Sequence, residues 1–415
     1  MAVARTPRHQ AADEYFRVGQ RSLERWTPLS VRRVGGEVQV IDMFSGCGGM
    51  SLGFAALAQS LGAFELLGAV DINETSLETY HRNFAVPVLA ADIRELARSS
   101  RARRALLGRL DYRADRSTVL IGCAPCQGFS AHRKKNWHEP DERNGLVEAF
   151  TKVAVSMQPD CVVMENVPEL LSSKYWSHFL YFRESLERVG YVVKQAVHNS
   201  AAQGVPQERF RSLVVAMKRP FLLPLPRLAH QKFRTVRDAI GDLPAVGAGK
   251  PCKTDSLHKS AAHRASTLDV IRAVPKNGGS RPAGVGPKCL QDFAGFADVY
   301  GRLYWDRPAI TITHYARNPA SGRFIHPEQD RGLTMREAAR LQSFPDGFSF
   351  AGTSDDVFRQ IGEAVPPLLS VAVASSILAS LRGEVPAEMP VEDLVVAPVN
   401  NSFAGVIAGL KMSRR

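Results

Sequence analysis

Residues 38–62 constrain what this chain can fold into more than any other stretch. The apolar run VQVIDMF (38–44) stops at SGCGG (45–49), and MSLGFAALAQSLG (50–62) follows with apolar residues at helical spacing. A short strand, a glycine-rich turn and a helix in that order open a doubly wound sheet. The alternation then continues. FELLGAVDIN (64–73) reads as a strand ending in Asp71, TSLETYHRNF (75–84) as a helix, and VPVLAADI (86–93) as a strand ending in Asp92. STVLIGCAPC (117–126) and CVVMENV (161–167) give two more strands, and YVVKQAVH (191–198) with SLVVAMK (212–218) a further two. Strands alternating with helices predict an α/β fold built on a mostly parallel, Rossmann-like sheet. Ligands of such sheets bind at the carboxyl ends of the strands. Gly46, Asp71, Asp92, Cys126 and Glu165 all fall at or just after those ends.

Near Pro220 the alternation gives way to segments rich in Pro, Gly, Lys and Arg, which read as a second, smaller, loop-rich domain. The expected organisation is an N-terminal extension (1–36), a first domain (37–218), the loop-rich domain (219–353), a helix returning to the first domain (354–385) and a tail (386–415). The stretch VFRQIGEAVPPLLSVAVASSILASL is apolar almost all round, so it should be buried. A formal net charge of +12 favours an anionic partner, nucleic acid first. No signal peptide is read in the polar, Arg-bearing start, and no apolar run is taken as long enough to span a bilayer. Six cysteines in 415 residues do not make a disulfide framework and read as reduced thiols of a cytoplasmic protein.

Four motifs carry chemistry. The glycines at 46, 48 and 49 permit positive φ and close backbone approach, and the helix that follows favours an anionic group at its N-terminus. Their spacing is not the G-x-G-x-x-G of nicotinamide and flavin enzymes. Asp71 suits ribose hydroxyls and Asp92 an adenine amine, although a helix cap explains either one equally well. In IGCAPCQGFSAHRKK (121–135) Cys123 and Cys126 form a CxxC. Zinc needs a second ligand pair, and Cys252 and Cys289 stand isolated, so no metal is expected. A single nucleophilic cysteine at a strand end fits better, with His132, Arg133, Lys134 and Lys135 available to favour its thiolate or to bind phosphates. Glu165 follows the apolar CVVM, where a carboxylate is either salt-bridged or a desolvated proton donor. In GVPQERFRSLVVA (204–216), Arg209 and Arg211 alternate into a strand and so should share one face.

With these residues in place, the chain resembles the DNA (cytosine-5) methyltransferases. DMFSGCGG, AVDIN, AADI, APCQGFS, ENV, QERFR, LTMREAARLQSFPDGF and IGEAVPP match that family's motifs in order from Ile41 to about Ala374. The resemblance implies an S-adenosyl-L-methionine site lined by Phe44, Gly46, Gly49, Asp71, Ile72, Asp92, Ile93 and Pro125. It implies that Cys126 attacks C6 of cytosine while Glu165 protonates or hydrogen-bonds N3. Arg211, with Arg209 and Gln207, would hold the active-site loop and the base O2. The target base must be flipped out of double-stranded DNA, and loop 128–145 is the expected lid over it. The basic insert resembles a target-recognition domain. The enzyme is expected to act as a monomer, with a restriction endonuclease as the further partner such enzymes can have.

This chain departs from the family pattern at three places: Cys123 where Gly is usual, Asp71 where Glu is commoner, and Glu363 in place of Asn. Two alternatives share the fold. One is a transfer-RNA cytosine-5 methyltransferase, whose motif typically ends PCQ-x-F-T, against Gln127, Gly128, Phe129 and Ser130 here. The other is a non-catalytic DNA-binding regulator.

Overall fold

The computed structural model describes residues 10–29, 35–125, 145–291 and 298–385. They form two compact units, the first drawn from the described residues within 10–199, 210–226 and 369–385, the second from those within 200–209 and 227–368.

The first unit is built on a seven-stranded sheet: β1 (Val38–Met43), β2 (Phe64–Asp71), β3 (Val88–Ala90), β4 (Thr118–Gly122), β5 (Cys161–Asn166), β6 (Val192–Asn199) and β7 (Phe210–Met217). The strand order is β3-β2-β1-β4-β5-β7-β6. The first five strands run parallel, and β7 pairs antiparallel with both β5 and β6. The expected α/β, Rossmann-like architecture is therefore present. Every residue of β1 is buried, as in a central strand covered on both faces, and this explains why its apolar residues do not alternate with exposed polar ones. Helices α1 (Gln10–Glu24), α2 (Gly49–Leu61), α3 (Glu74–Phe84), α4 (Ile93–Arg98), α5 (Ser100–Arg109), α6 (Gly145–Met157) and α7 (Trp176–Glu187) belong to this unit. One core cluster joins Leu96 of α4, Leu106 of α5, Phe150 of α6 and Phe182 of α7 to the apolar side chains of the sheet.

The extension read as polar contains α1. Its buried residues Ala12, Phe16, Gly19 and Leu23 recur at helical spacing and face the unit's core. A Cβ on Gly19 would stand 2.7 Å from Val371 Cγ1 and 3.1 Å from Leu57 Cδ2, so the helix packs close against both.

The second unit has short helices, α8 (Val236–Ile240), α9 (Ala265–Ala273), α10 (Lys288–Gln291), α11 (Met335–Leu341) and α12 (Ser354–Glu363), joined by long irregular segments. Such segments bury backbone carbonyls that no ladder satisfies. Buried arginines take them up. Arg302 has a fully buried side chain and donates to the carbonyls of Ile271, Val274, His326 and Gln329, and to Asp330. Arg331 makes a bidentate pair with Glu337 at 2.8 and 2.7 Å.

The last described helix, α13 (Pro367–Leu381), follows α12 after a break at Ala364, Val365 and Pro366, so the single helix expected over 354–385 is two. Pro366 and Pro367 explain the break, because neither can donate the backbone N–H that a continuous helix requires. Contrary to the sequence expectation, Ser354–Leu381 is long and apolar enough to cross a membrane by length and composition, yet 89% of its most apolar window is buried inside the protein.

Candidate active site

The glycine-rich turn sits at the carboxyl end of β1. Phe44, Gly46 and Gly48 have φ of 58°, 50° and 94°. A non-glycine residue there is strained by roughly 1 kcal/mol or more, a cost that the surrounding structure must hold in place. Three hydrogen bonds do so: Ser45 N–H to Val70 O at 3.2 Å, Gly48 N–H to Ser45 O at 2.9 Å, and Gly46 N–H to Asp71 Oδ2 at 2.8 Å. Asp71 Oδ1 also accepts from Asn73 N–H at 2.9 Å, so one carboxylate fixes both the turn and the exit of β2. Beside it Ile72 is 74% exposed, a large apolar side chain left uncovered at the sheet's carboxyl edge.

Beneath the turn is a polar chain to which the sequence reading gave no role. Tyr80 OH donates to Ser51 Oγ at 2.8 Å, and Ser51 Oγ donates to Asp42 Oδ2 at 2.6 Å. Asp42 Oδ1 is buried and has no hydrogen-bond partner among the described residues. Burial pushes the Asp42 carboxyl up to about 7, with the nearby Asp71 adding to the rise and the Ser51 bond opposing it. The one sequence signal for this site was an aspartate inside an otherwise apolar strand.

Asp92 takes the cap reading. It is the N-cap of α4, accepting from Arg94 N–H at 2.8 Å and pairing with the Arg94 guanidinium, whose hydrogen bonds hold its carboxyl below the usual range. Ile93 beside it is buried.

At the ends of β4 and β5 the structure joins two motifs far apart in sequence. Arg211 Nε lies 2.9 Å from Glu165 Oε1, and both side chains are mostly buried. Asn166, 2% exposed, donates from Nδ2 to Ala124 O at 3.2 Å and accepts Val167 N–H at 2.8 Å. It thus fixes the segment Cys123–Pro125 that leads to Cys126. Burial, then Glu165 and then Asp42, pushes the Cys123 thiol well up, so the departure residue is held protonated. Cys126, the residues His132–Lys135 and nearly all of the expected lid 128–145 lie outside the described residues.

Arg211 lies in β7, but Arg209 precedes the strand, which corrects the expectation that the two arginines share one strand face. Arg209 is 1% exposed and donates to the carbonyls of Ile312 at 3.0 Å, Gly362 at 2.9 Å and Ala364 at 3.1 Å. Gln207, likewise buried, donates to Leu341 O at 2.9 Å and accepts Ile312 N–H at 2.9 Å. Glu363 is exposed at the end of α12. No cluster of three metal-ligating side chains occurs among the described residues.

The sequence model of the C-5 cytosine-specific DNA methylases matches residues 38–379. The chain belongs to that family. It is a DNA (cytosine-5) methyltransferase. The Type II methylase M.HgiDII of Herpetosiphon aurantiacus is 35% identical over 83% of this chain and 96% of its own length. The Type II methyltransferase M1.HphI of Haemophilus parahaemolyticus is 37% identical over 81% of this chain and 86% of its own. A solved prophage-encoded protein of E. coli, described as a candidate DNA modification methyltransferase, shares 23% identity. It covers 83% of this chain and 99% of its own, with a TM-score of 0.65, a likeness of fold. For the methylase, Asp42, Ser51, Tyr80 and Asn166 are the polar residues that sequence reasoning left without a role and the structure places around the two motif-bearing strand ends.

Proposed function

We propose that this methylase transfers a methyl group from S-adenosyl-L-methionine to C5 of a flipped-out cytosine in double-stranded DNA, through a covalent bond between Cys126 and C6. The observation that carries the reading is the joined end of β4 and β5. Arg211 fixes Glu165 there, and Asn166, the next residue, holds the backbone two residues before Cys126.

The residues of the glycine-rich turn suit the cofactor. The positive-φ glycines leave room for close approach, Ile72 offers an uncovered apolar surface, and Asp71 keeps acceptor capacity beyond its two backbone bonds. Asp42 Oδ1, without a hydrogen-bond partner among the described residues, is an acceptor that suits a cationic group such as an ammonium. Phe44, Gly46, Gly49, Asp71, Ile72, Asp92, Ile93 and Pro125 would hold S-adenosyl-L-methionine, Asp92 with part of its acceptor capacity already given to Arg94. When bound, the cofactor supplies an electrophilic methyl group on a sulfonium.

In this mechanism the Cys126 thiolate adds to C6, and the C5–C6 π pair moves onto C5. Glu165 hydrogen-bonds or protonates N3, drawing that charge into the ring, while Arg211 keeps the carboxyl in register. C5 would thereby be left electron-rich toward that methyl group, whose bonding pair would remain with the sulfur. Loss of the C5 proton to a base and departure of the Cys126 thiolate restore the double bond. Flipping the base costs a few kcal/mol, repaid by pocket and phosphate contacts. The net charge of +12 favours the latter. Arg209 and Gln207, spent on backbone carbonyls and amides, serve as positioning residues.

The Type II relatives support a modification role; a cognate restriction endonuclease as further partner, a monomeric enzyme and action on cytoplasmic DNA are proposed along with it. The test is transfer of tritiated methyl from the cofactor to mixed unmethylated genomic DNA, with a transfer-RNA pool in parallel. Label recovered as 5-methylcytosine in DNA is the expected result; label in RNA alone overturns the reading.

A further inference from the structure

We infer that the N-terminal segment 10–29, through Trp26, forms the back wall of the cofactor turn and sets the turn's geometry for binding. This inference rests on the reading that the turn holds S-adenosyl-L-methionine.

The contacts run in one line. Trp26 is 3% exposed, and its ring meets Phe84 edge-on at a centroid distance of 5.8 Å. Phe84 packs on Tyr80 at 4.5 Å. These two rings in turn carry the turn itself. A Cβ on Gly48 would stand 2.3 Å from Phe84 Cε2 and 3.0 Å from Tyr80 Cδ2, so the backbone of Gly48, at φ 94°, lies directly on them. Tyr80 continues the line through Ser51 to Asp42. Trp26 is held in place from both sides. Its backbone N–H donates to Leu23 O at 3.0 Å at the end of α1, and Leu29 backbone N–H donates to Asn83 O at 2.9 Å, next to Phe84.

A ring two contacts removed from the turn acts by excluding alternatives. Close-packed interiors transmit a lost ring as a shift of its neighbours. If Phe84 relaxes into the space of Trp26, Gly48 loses its support and the turn gains conformations in which Gly48 N–H no longer meets Ser45 O and Gly46 N–H no longer meets Asp71. The Trp26 indole N–H is buried and has no hydrogen-bond partner among the described residues. The residue therefore works through its ring, and a smaller aromatic should replace it. Trp26 is in this sense a positioning residue.

The experiment measures cofactor binding by calorimetry, without DNA, for wild type, Trp26→Ala, Trp26→Phe and Phe84→Leu, beside steady-state methylation. The expected result is a dissociation constant raised about tenfold in Trp26→Ala and Phe84→Leu, near wild type in Trp26→Phe, with kcat at saturating cofactor and KM for DNA within twofold. Phe84→Leu carries the test if Trp26→Ala does not fold. Folded variants that bind cofactor like wild type, or that lose kcat at unchanged affinity, overturn the inference and leave the site reading intact. A wild-type protein that binds no cofactor overturns both.

Discussion

Arg211 Nε stands 2.9 Å from Oε1 of Glu165, in a pair that is only 13% and 9% exposed at its side chains. Removing one partner of such a pair leaves a buried charge uncompensated, which is far costlier than the pair's own net worth. Two variants follow from it. Glu165→Gln keeps the shape but cannot deliver a proton to N3, and methyl transfer should fall by about 10²–10⁴-fold with cofactor affinity unchanged. Arg211→Lys should not keep wild-type rates, because a compact ammonium on a flexible stem does not reproduce the placement of the planar guanidinium beside the carboxylate. Single-turnover methylation measures both, and full activity of Glu165→Gln would remove Glu165 from the chemistry.

The Asp42 carboxyl, pushed up to about 7 by burial, makes stability depend on pH. In the unfolded chain it titrates near ~4, so between about pH 4 and 7 the folded state binds the proton more tightly. This contribution is fully present below the unfolded value and is lost as pH rises through 7. Asp71, the Cys123 thiol and the Ser51 and Tyr80 hydroxyls are the polar groups coupled to it. Asp42→Asn cannot ionise, so its denaturation midpoint should fall less than that of wild type between pH 5 and 8. Equal slopes in the two proteins would contradict the assignment.

Arg209 gathers the carbonyls of Ile312, Gly362 and Ala364 into one guanidinium. A lysine has no planar fork with which to do this. Arg209→Lys should therefore destabilise residues 227–368 by roughly 2–4 kcal/mol as buried acceptors lose their donors. Limited proteolysis with mass mapping should show earlier cuts there. Cofactor binding, proposed for the other unit, should stay within twofold.

Gly53 of α2 touches α13 without a side chain between them. A Cβ there would stand 2.3 Å from Ser370 C and from Val371 N, backbone atoms that cannot swing aside. Its N–H donates to Ser370 Oγ at 3.1 Å. Gly53→Ala should cost about 1–3 kcal/mol as overpacking, read as a lowered unfolding temperature. An unchanged temperature would mean that the two helices separate freely.

The strands and the turn were legible in the sequence because each carries its own signal: a buried apolar run, a glycine cluster, an aspartate or glutamate at the strand end. The apolar residues Phe16 and Leu23 of α1 were equally visible, but sparse among charged neighbours, and only their contacts show that they cover a core. Asp42 announced itself as a carboxylate inside an apolar strand, whereas its bond to Ser51, nine residues on, depends on how α2 returns over the sheet. The role of Arg209 could not be read at all. Its partners lie 103 to 155 residues away, and three carbonyls leave no mark on side-chain chemistry.

The central claim is the covalent bond between Cys126 and C6, and trapping it is the most direct test. DNA copied with 5-fluorocytosine in place of cytosine holds no C5 proton to lose, so elimination stops after methyl transfer. Incubated with cofactor, wild type should migrate as a denaturation-resistant protein–DNA complex whose cross-linked peptide contains Cys126, and Cys126→Ala should give none. A wild-type enzyme that methylates ordinary DNA yet forms no such complex, or one cross-linked through another residue, would contradict the account.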